Sequence, residues 1–143
     1  MTSEEYSSGP LDVSTLEVIA QRAVTHPLAD GWMFYPDTVS PRWLELSLDE
    51  NQYPSSIVEA RLDVRWFESG DYTVHYVETR DNDIWQCRWD RYPKLGGSRP
   101  HFHPPPDAAS DAEPSTLQAT YHLGVLFGIF DWITERIEQL HDE

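Results

Sequence analysis

The sequence is short of cysteine and lysine. Cys87 is the only cysteine among 143 residues, and Lys94 is the only lysine beside nine arginines. A single cysteine excludes an intramolecular disulfide, a Cys-x-x-Cys pair and a cysteine-rich zinc site, so Cys87 is predicted to be a core residue. The shortage of lysine has a different meaning, because it accompanies a large excess of carboxylates.

Long apolar runs and an apolar leader are also missing. The best apolar run, residues 123–130, is far shorter than the roughly 20 residues that a membrane-spanning helix needs. The first ten residues are polar and acidic, without the apolar stretch of a secretory signal. We therefore predict a cytoplasmic protein that does not bind membranes.

Several familiar catalytic and cofactor-binding motifs are absent as well. The sequence has no Walker loop, no GxGxxG, no GxSxG and no HExxH. These absences argue against a P-loop nucleotidase, a dinucleotide-dependent enzyme, an α/β-hydrolase and a zinc protease of the common kind. No cofactor is predicted.

The charge balance is strongly acidic. The chain has 25 Asp and Glu against 10 Lys and Arg, which gives a formal net charge of -15. Carboxylates retain water well when salt competes for it, whereas the apolar stem of lysine becomes costly to hydrate, so this composition predicts a halophilic, salt-adapted protein. RNA remains a possible substrate, because the Debye length is about 3 Å at 1 M salt and long-range repulsion is then screened.

Hydrophobic periodicity predicts an α+β fold in a single domain over residues 12–143, after a flexible tail at 1–11. A capping box at Ser14 and Glu17 predicts a first helix that ends near His26, because residues before a proline avoid helical geometry. Residues 28–42 are expected to be irregular. A second capping box, at Ser115 and Gln118, predicts a helix of about 25 residues that runs to Leu140.

Period-2 alternation predicts four strands, at residues 43–48, 57–67, 72–78 and 83–90. Short turns between the last three indicate an antiparallel β-meander, with the long C-terminal helix packed on its apolar face. The opposite face should be charged. It would collect Arg61, Arg65, His75 and Arg88 together with Glu45, Glu59, Asp63 and Asp90.

The segment 92–114 is predicted to be a Pro-rich loop that carries the functional site. It holds six of the eleven prolines, and compact domains rarely contain so long a connection without a functional reason. The candidate catalytic residues in and beside it are His101, His103, Arg88, Asp90 and Arg91.

The two histidines admit three interpretations. In a β conformation His101 and His103 point to the same side, whereas in polyproline II they diverge. A same-side pair could bind a metal or act in acid–base chemistry, and both rings could equally pack beside the prolines. Arg88 and Asp90 have an alternative too, an ion-pair ladder with Asp63 and Arg65 that needs no ligand.

The motif Arg88-Trp89-Asp90 at a strand end, followed by His101-Phe102-His103-Pro104 and an amphipathic C-terminal helix, resembles the TumE-like family. This family comprises small proteins described as toxin components of prokaryotic toxin–antitoxin pairs. The resemblance covers about residues 57–140. It implies a toxin-like setting and an antitoxin-like protein partner.

Two functions follow from these observations. The first is a toxin-like enzyme that acts on RNA or a nucleotide, in which His101 and His103 serve as general base and acid while Arg88 and Arg91 stabilise phosphoryl charge. The second is a non-catalytic interaction module, in which exposed aromatic residues and the C-terminal helix bind a protein partner.

Overall fold

Seven antiparallel strands and two helices form the framework of the computed structural model, which describes residues 8–92, 99–108 and 111–143. A short 3-10 turn at Glu50–Gln52 follows the second strand. The elements are α1 (Val13–Ala23), β1 (Ala29–Tyr35), β2 (Trp43–Leu48), β3 (Glu59–Trp66), β4 (Tyr72–Arg80), β5 (Asp83–Tyr92), β6 (Arg99–His103), β7 (Glu113–Pro114) and α2 (His122–His141).

Each strand pairs with its neighbours in sequence, so the sheet is one continuous meander in the order β1 to β7. The register places apolar side chains opposite one another across the strands. Leu44 lies opposite Val64, Val64 opposite Val74, and Val74 opposite Trp89. These residues are buried together with the apolar sides of α1 and α2, so both helices cover the same face.

The predicted α+β class is confirmed, but the predicted number of four strands is wrong. β1 lies in the stretch expected to be irregular, and β6 and β7 lie in the expected loop at 92–114. The sequences of β6 and β7 give little indication of a strand. β6 contains Pro100 and has Phe102 as its one large apolar residue, and β7 has two residues. These segments are strands because they pair with neighbouring strands, and such pairing is not visible in a short local pattern.

The first helix begins with a different cap from the predicted one. The Asp12 carboxylate accepts hydrogen bonds from the Thr15 backbone N–H at 3.0 Å and from the Thr15 hydroxyl at 2.7 Å. The predicted capping box at Ser14 is therefore wrong, because Asp12 already satisfies the first-turn amide. The helix buries Leu16, Ile19, Ala20 and Ala23, whereas Val24 caps the helix and is exposed.

The second helix begins at His122, not at the predicted Ser115. Ser115 instead donates its backbone N–H to the Pro100 carbonyl at 3.2 Å, which keeps the segment extended beside β6. The chain then crosses close to the helix at Gly124, where a Cβ would lie 2.6 Å from the Cβ of Ala119. None of the described helices is long and apolar enough to cross a membrane.

Most of the predicted tail, residues 1–7, lies outside the described residues, as do residues 93–98 of the predicted loop. Residues 8–11 are described, and Leu11 forms a bridge with Phe67 beside β3. Residues 106–108 of the predicted loop lie along β5, where Gln86 donates its N–H to the Pro106 carbonyl at 2.9 Å.

A buried ion pair fastens α2 to the sheet. The Arg136 guanidinium donates two hydrogen bonds of 2.9 Å to the two carboxylate oxygens of Glu78, which is fully buried on β4. The Tyr76 hydroxyl donates to the same carboxylate at 2.6 Å, and the Arg136 guanidinium carbon lies 3.6 Å from the Trp85 ring centroid. Burial raises the pKa of Tyr76, so this phenol remains a proton donor.

Removal of the Glu78 charge should therefore destabilise the protein strongly. We expect Glu78→Gln to lower the free energy of unfolding by about 3–5 kcal/mol, because Arg136 would be left buried without its carboxylate. The measurement is urea unfolding followed by tryptophan fluorescence. The matched control is Glu59→Gln, since Glu59 faces Arg61 at 3.6 Å on the surface and its loss should cost less than about 1 kcal/mol. Equal effects of the two substitutions would contradict the proposed role of the buried pair.

Candidate functional site on the polar face of the sheet

Two rows of polar side chains cross the face of the sheet opposite the helices. In the first row Arg65 lies opposite Thr73, Thr73 opposite Asp90, and Asp90 opposite His101. Directly opposed residues of antiparallel strands point to the same face, so these four side chains are neighbours. The second row runs beside the first and contains Glu45, Asp63, His75, Arg88 and His103.

A cavity of about 220 Å³ lies between these rows. Its size suits a small polar group, because pockets for drug-sized ligands measure about 300–1,000 Å³. Burial raises the pKa of the Tyr92 phenol at its edge, so that group stays protonated near neutral pH. The lining residues are Trp43, Asp63, Arg65, Thr73, His75, Arg88 and Tyr92.

Three of the predicted site residues form one hydrogen-bonded cluster. The Asp90 carboxylate is fully buried, and its Oδ2 lies 2.9 Å from Arg88 Nε and 2.8 Å from His103 Nε2. Within the described part of the chain, Asp90 Oδ1 has no hydrogen-bond partner. Asp90 therefore orients both a cation and an imidazole ring, as a carboxylate does behind many functional histidines.

His101 lies on the same face, opposite Asp90. The strand conformation of β6 selects the β interpretation of His101-Phe-His103, so both rings share one side of the sheet. His103 is 8% exposed and His101 is half-buried, and neither lines the cavity. His103 is thus linked to the cavity only through Asp90 and Arg88, and His101 lies outside the lining, opposite Asp90.

Arg91 lies apart from the other four predicted site residues. Alternation along β5 directs it to the helix side, where its Nη1 lies 3.3 Å from Oδ1 of the buried Asp71. Sequence adjacency to Asp90 suggested a shared site, but consecutive strand residues point to opposite faces. The structure therefore brings together Arg88, Asp90, His101 and His103 without Arg91.

Arg65 and His75 line the cavity, although sequence reasoning placed them on the charged face and left them out of the predicted site. The Nε2 atom of His75 lies 2.8 Å from Gln86 Oε1. Burial lowers the pKa of the imidazole below its ordinary 6.5, against the opposing effect of the Gln86 hydrogen bond, so the ring is neutral at pH 7. Alternation in β4 placed His75 on the charged face, but only the strand register shows that it lies opposite Arg88.

Electrostatic pairing on this face differs from the predicted ladder. Arg61, outside the cavity, lies within 3.6 Å of Glu45 and Glu59 and 3.3 Å from Asp63. No described residue forms an ion pair with Arg65, whose guanidinium carbon lies 5.6 Å from the Trp43 ring centroid. Much of the local negative charge is therefore balanced by Arg61, which leaves Arg65 able to bind an anion.

The metal alternative for the histidine pair remains a prediction. Among the described residues, no group of three or more His, Cys, Asp or Glu side chains lies together in an arrangement that could hold a metal ion. His103 instead contacts Asp90, and Asp90 also accepts from Arg88, so the carboxylate already serves two donors.

Comparison with known proteins gives one match. A family model described as Toxin TumE matches residues 19–137, which extends from α1 to the last turn of α2 and includes both polar rows. The chain belongs to the TumE toxin family. The resemblance inferred from the Arg88 and His101 motifs is thus confirmed, and the match begins well before residue 57. No curated protein and no solved structure matches the chain.

Burial of His75 predicts an acid-sensitive component of stability in this TumE-family protein. The folded-state pKa of His75 lies below the unfolded value of 6.5, so the unfolded chain binds the proton more readily and stability falls as pH drops below 6.5. We expect His75→Gln to flatten the decline of unfolding free energy between about pH 8 and pH 5. Urea unfolding across that range is the measurement. The control is His141→Gln, at an exposed histidine, which should keep the wild-type pH dependence. If unfolding free energy falls with pH in His75→Gln as steeply as in wild type, the prediction is contradicted.

Proposed function

We propose that this chain is a toxin that acts on RNA or a nucleotide at the cavity between the two polar rows. The observation that carries the proposal is the convergence of Arg65, Arg88 and a neutral His75 on one small cavity. Phosphoryl chemistry needs fixed cations for the developing charge and a group that accepts a proton. Membership of a toxin family supports the biological setting.

The two arginines are the proposed phosphate ligands. Arg88 donates its Nε–H to Asp90, and the terminal amino groups of Arg88 make no hydrogen bond to any described residue. Arg65 has no carboxylate partner in the described part of the chain. Planar guanidinium groups bind phosphate oxygens through paired hydrogen bonds, so the two cations can hold one phosphate from two sides.

Proton transfer is assigned to histidines of the same face. His75 is the proposed general base, because a neutral imidazole beside a bound phosphate can take the proton of an attacking hydroxyl. His101 is the proposed general acid; it lies on the same face but outside the cavity lining, so it would return a proton to a leaving oxygen of a substrate that extends beyond the cavity. His103 is a proposed positioning residue that acts through Asp90 on Arg88. These roles replace the base and acid assignment of His101 and His103 made from the sequence.

The setting proposed for this activity is a salt-adapted cytoplasm, with an antitoxin-like protein as partner. The composition supports the first part, because 25 acidic residues accompany a single lysine. Short-range contacts in the cavity suit such a setting, since strong salt screens the repulsion between RNA and the acidic surface. The family match supports the partner in general terms.

Induced synthesis in a salt-adapted host tests the toxic activity. We expect wild type to arrest growth and to alter cellular RNA, and Arg65→Ala/Arg88→Ala to do neither because the phosphate ligands are lost. The matched control is Arg22→Ala, an exposed arginine on α1 across the sheet from the cavity, which should arrest growth like wild type. Far-UV circular dichroism checks that all variants fold. No arrest by wild type would argue against the toxin proposal and favour the non-catalytic interaction module.

Purified protein and an RNA substrate separate the roles of the histidines. We expect His75→Asn and His101→Asn each to lower kcat by about 10²–10⁴, the usual contribution of a general base or acid. His103→Asn should act mainly through Arg88, raising KM more than it lowers kcat. The pH–rate profile should lose its acidic limb in His75→Asn only. An unchanged profile in that variant would contradict the assignment of His75 as the base.

A further inference from the structure

A groove of about 510 Å³ lies on the helix side of the sheet, between α2 and the extended segment 116–119. It is larger than the cavity on the polar face. Its apolar walls come from Phe127 and Trp132 on α2, Leu117 and Ala119 on the extended segment, and Trp89 on β5. Such a combination of rings and aliphatic side chains is typical of the anchor pockets of protein interfaces.

Two glycines shape the groove. A Cβ at Gly128 would lie 3.0 Å from Leu117 Cδ2, and a Cβ at Gly124 would lie within 2.7 Å of Ala119 and Tyr121. The extended segment therefore crosses the helix at these two positions without a side chain between them. The groove remains open next to this crossing, along the stripe of α2 that is not buried in the core.

The exposed rim of the groove is acidic. Asp131 and Glu135 stand four residues apart on α2, and neither makes an ion pair or a side-chain hydrogen bond with a described residue. Like charges at this spacing destabilise a helix. None of the residues that line the groove is Arg or Lys, and Arg22, whose guanidinium carbon lies 6.0 Å from the Phe127 ring centroid, forms no ion pair with a described residue.

We propose that this groove binds a segment of a partner protein in which an apolar side chain is flanked by arginine or lysine. The apolar side chain would occupy the walls, and the cations would neutralise Asp131 and Glu135. A nucleic acid is a poor match because its phosphates would face these carboxylates. A second copy of the chain is also a poor match, because its net charge of -15 leaves little basic surface to offer.

This inference does not depend on catalysis. The groove and the polar cavity lie on opposite faces of the sheet and share no lining residue. A partner held in the groove therefore leaves the cavity uncovered, and the two sites can be tested separately with variants of one full-length chain.

Fluorescence anisotropy with a designed peptide tests the proposal. The probe is a fluorescein-labelled peptide in which leucine alternates with arginine, and its matched peptides replace either every arginine with glutamate or every leucine with serine. In a salt concentration at which circular dichroism shows the protein folded, we expect the leucine–arginine peptide to bind, and Asp131→Lys/Glu135→Lys to weaken its binding about tenfold or more. The control is Glu17→Lys/Glu68→Lys, which changes the net charge equally at exposed sites outside the groove and should bind like wild type.

Several outcomes would overturn the inference. Equal weakening by both double variants, or equal binding of the serine–arginine peptide, would mean that the acidic chain attracts any cation. Absence of binding by wild type, or preference for the glutamate peptide, would exclude the proposed chemistry. Sedimentation without peptide tests whether a second copy of the chain occupies the groove. Self-association that is lost only in Asp131→Lys/Glu135→Lys would show that the groove binds a second copy and would overturn the inference. Arg65→Ala/Arg88→Ala should leave peptide binding unchanged.

Discussion

The register of the antiparallel meander is the constraint on which the rest of the molecule depends. Side chains alternate between faces along every strand, and directly opposed residues share a face across the sheet. One set, which includes Leu44, Val64 and Val74, forms an apolar surface that both helices cover. The other set forms the polar rows. A shift of one residue would move His75 and Arg88 under the helices, so the same register fixes the core and the cavity.

Two carboxylates among the described residues are fully buried, one on each face of the sheet, and they have different consequences. Glu78 on the helix side is matched by Arg136 and Tyr76, so both of its oxygens have donors and the pair fixes the position of α2. Asp90 on the polar side uses one oxygen for Arg88 and His103, while the other has no partner among the described residues. A satisfied network specifies structure, whereas an incompletely satisfied buried group is typical of a functional site.

The sequence predicted the parts of the fold that depend on local alternation and missed those that depend on pairing. β2 and the starts of β4 and β5 match the predicted residues, because apolar and polar positions alternate along most of each strand. Pro100 weakens the strand pattern of β6, and α2 begins seven residues after Ser115, whose N–H bonds to the Pro100 carbonyl of β6. The same limit applies to the site. Arg88 was predicted to be in the site, but Arg65 and His75 join it only through the strand register, which brings their strands beside the one that carries Arg88.

The cavity and the groove are linked physically through β5, the only described strand that lines both. Trp89 contributes to the groove, while its neighbour Arg88 lines the cavity and Asp90 holds Arg88 in place. Trp89 is 2% exposed and packs against Trp132 of α2 at a ring separation of 5.0 Å. Close packing transmits small displacements instead of absorbing them. A partner bound in the groove that displaced Trp132 would therefore act on the strand that carries Arg88, the proposed phosphate ligand, without contacting the cavity.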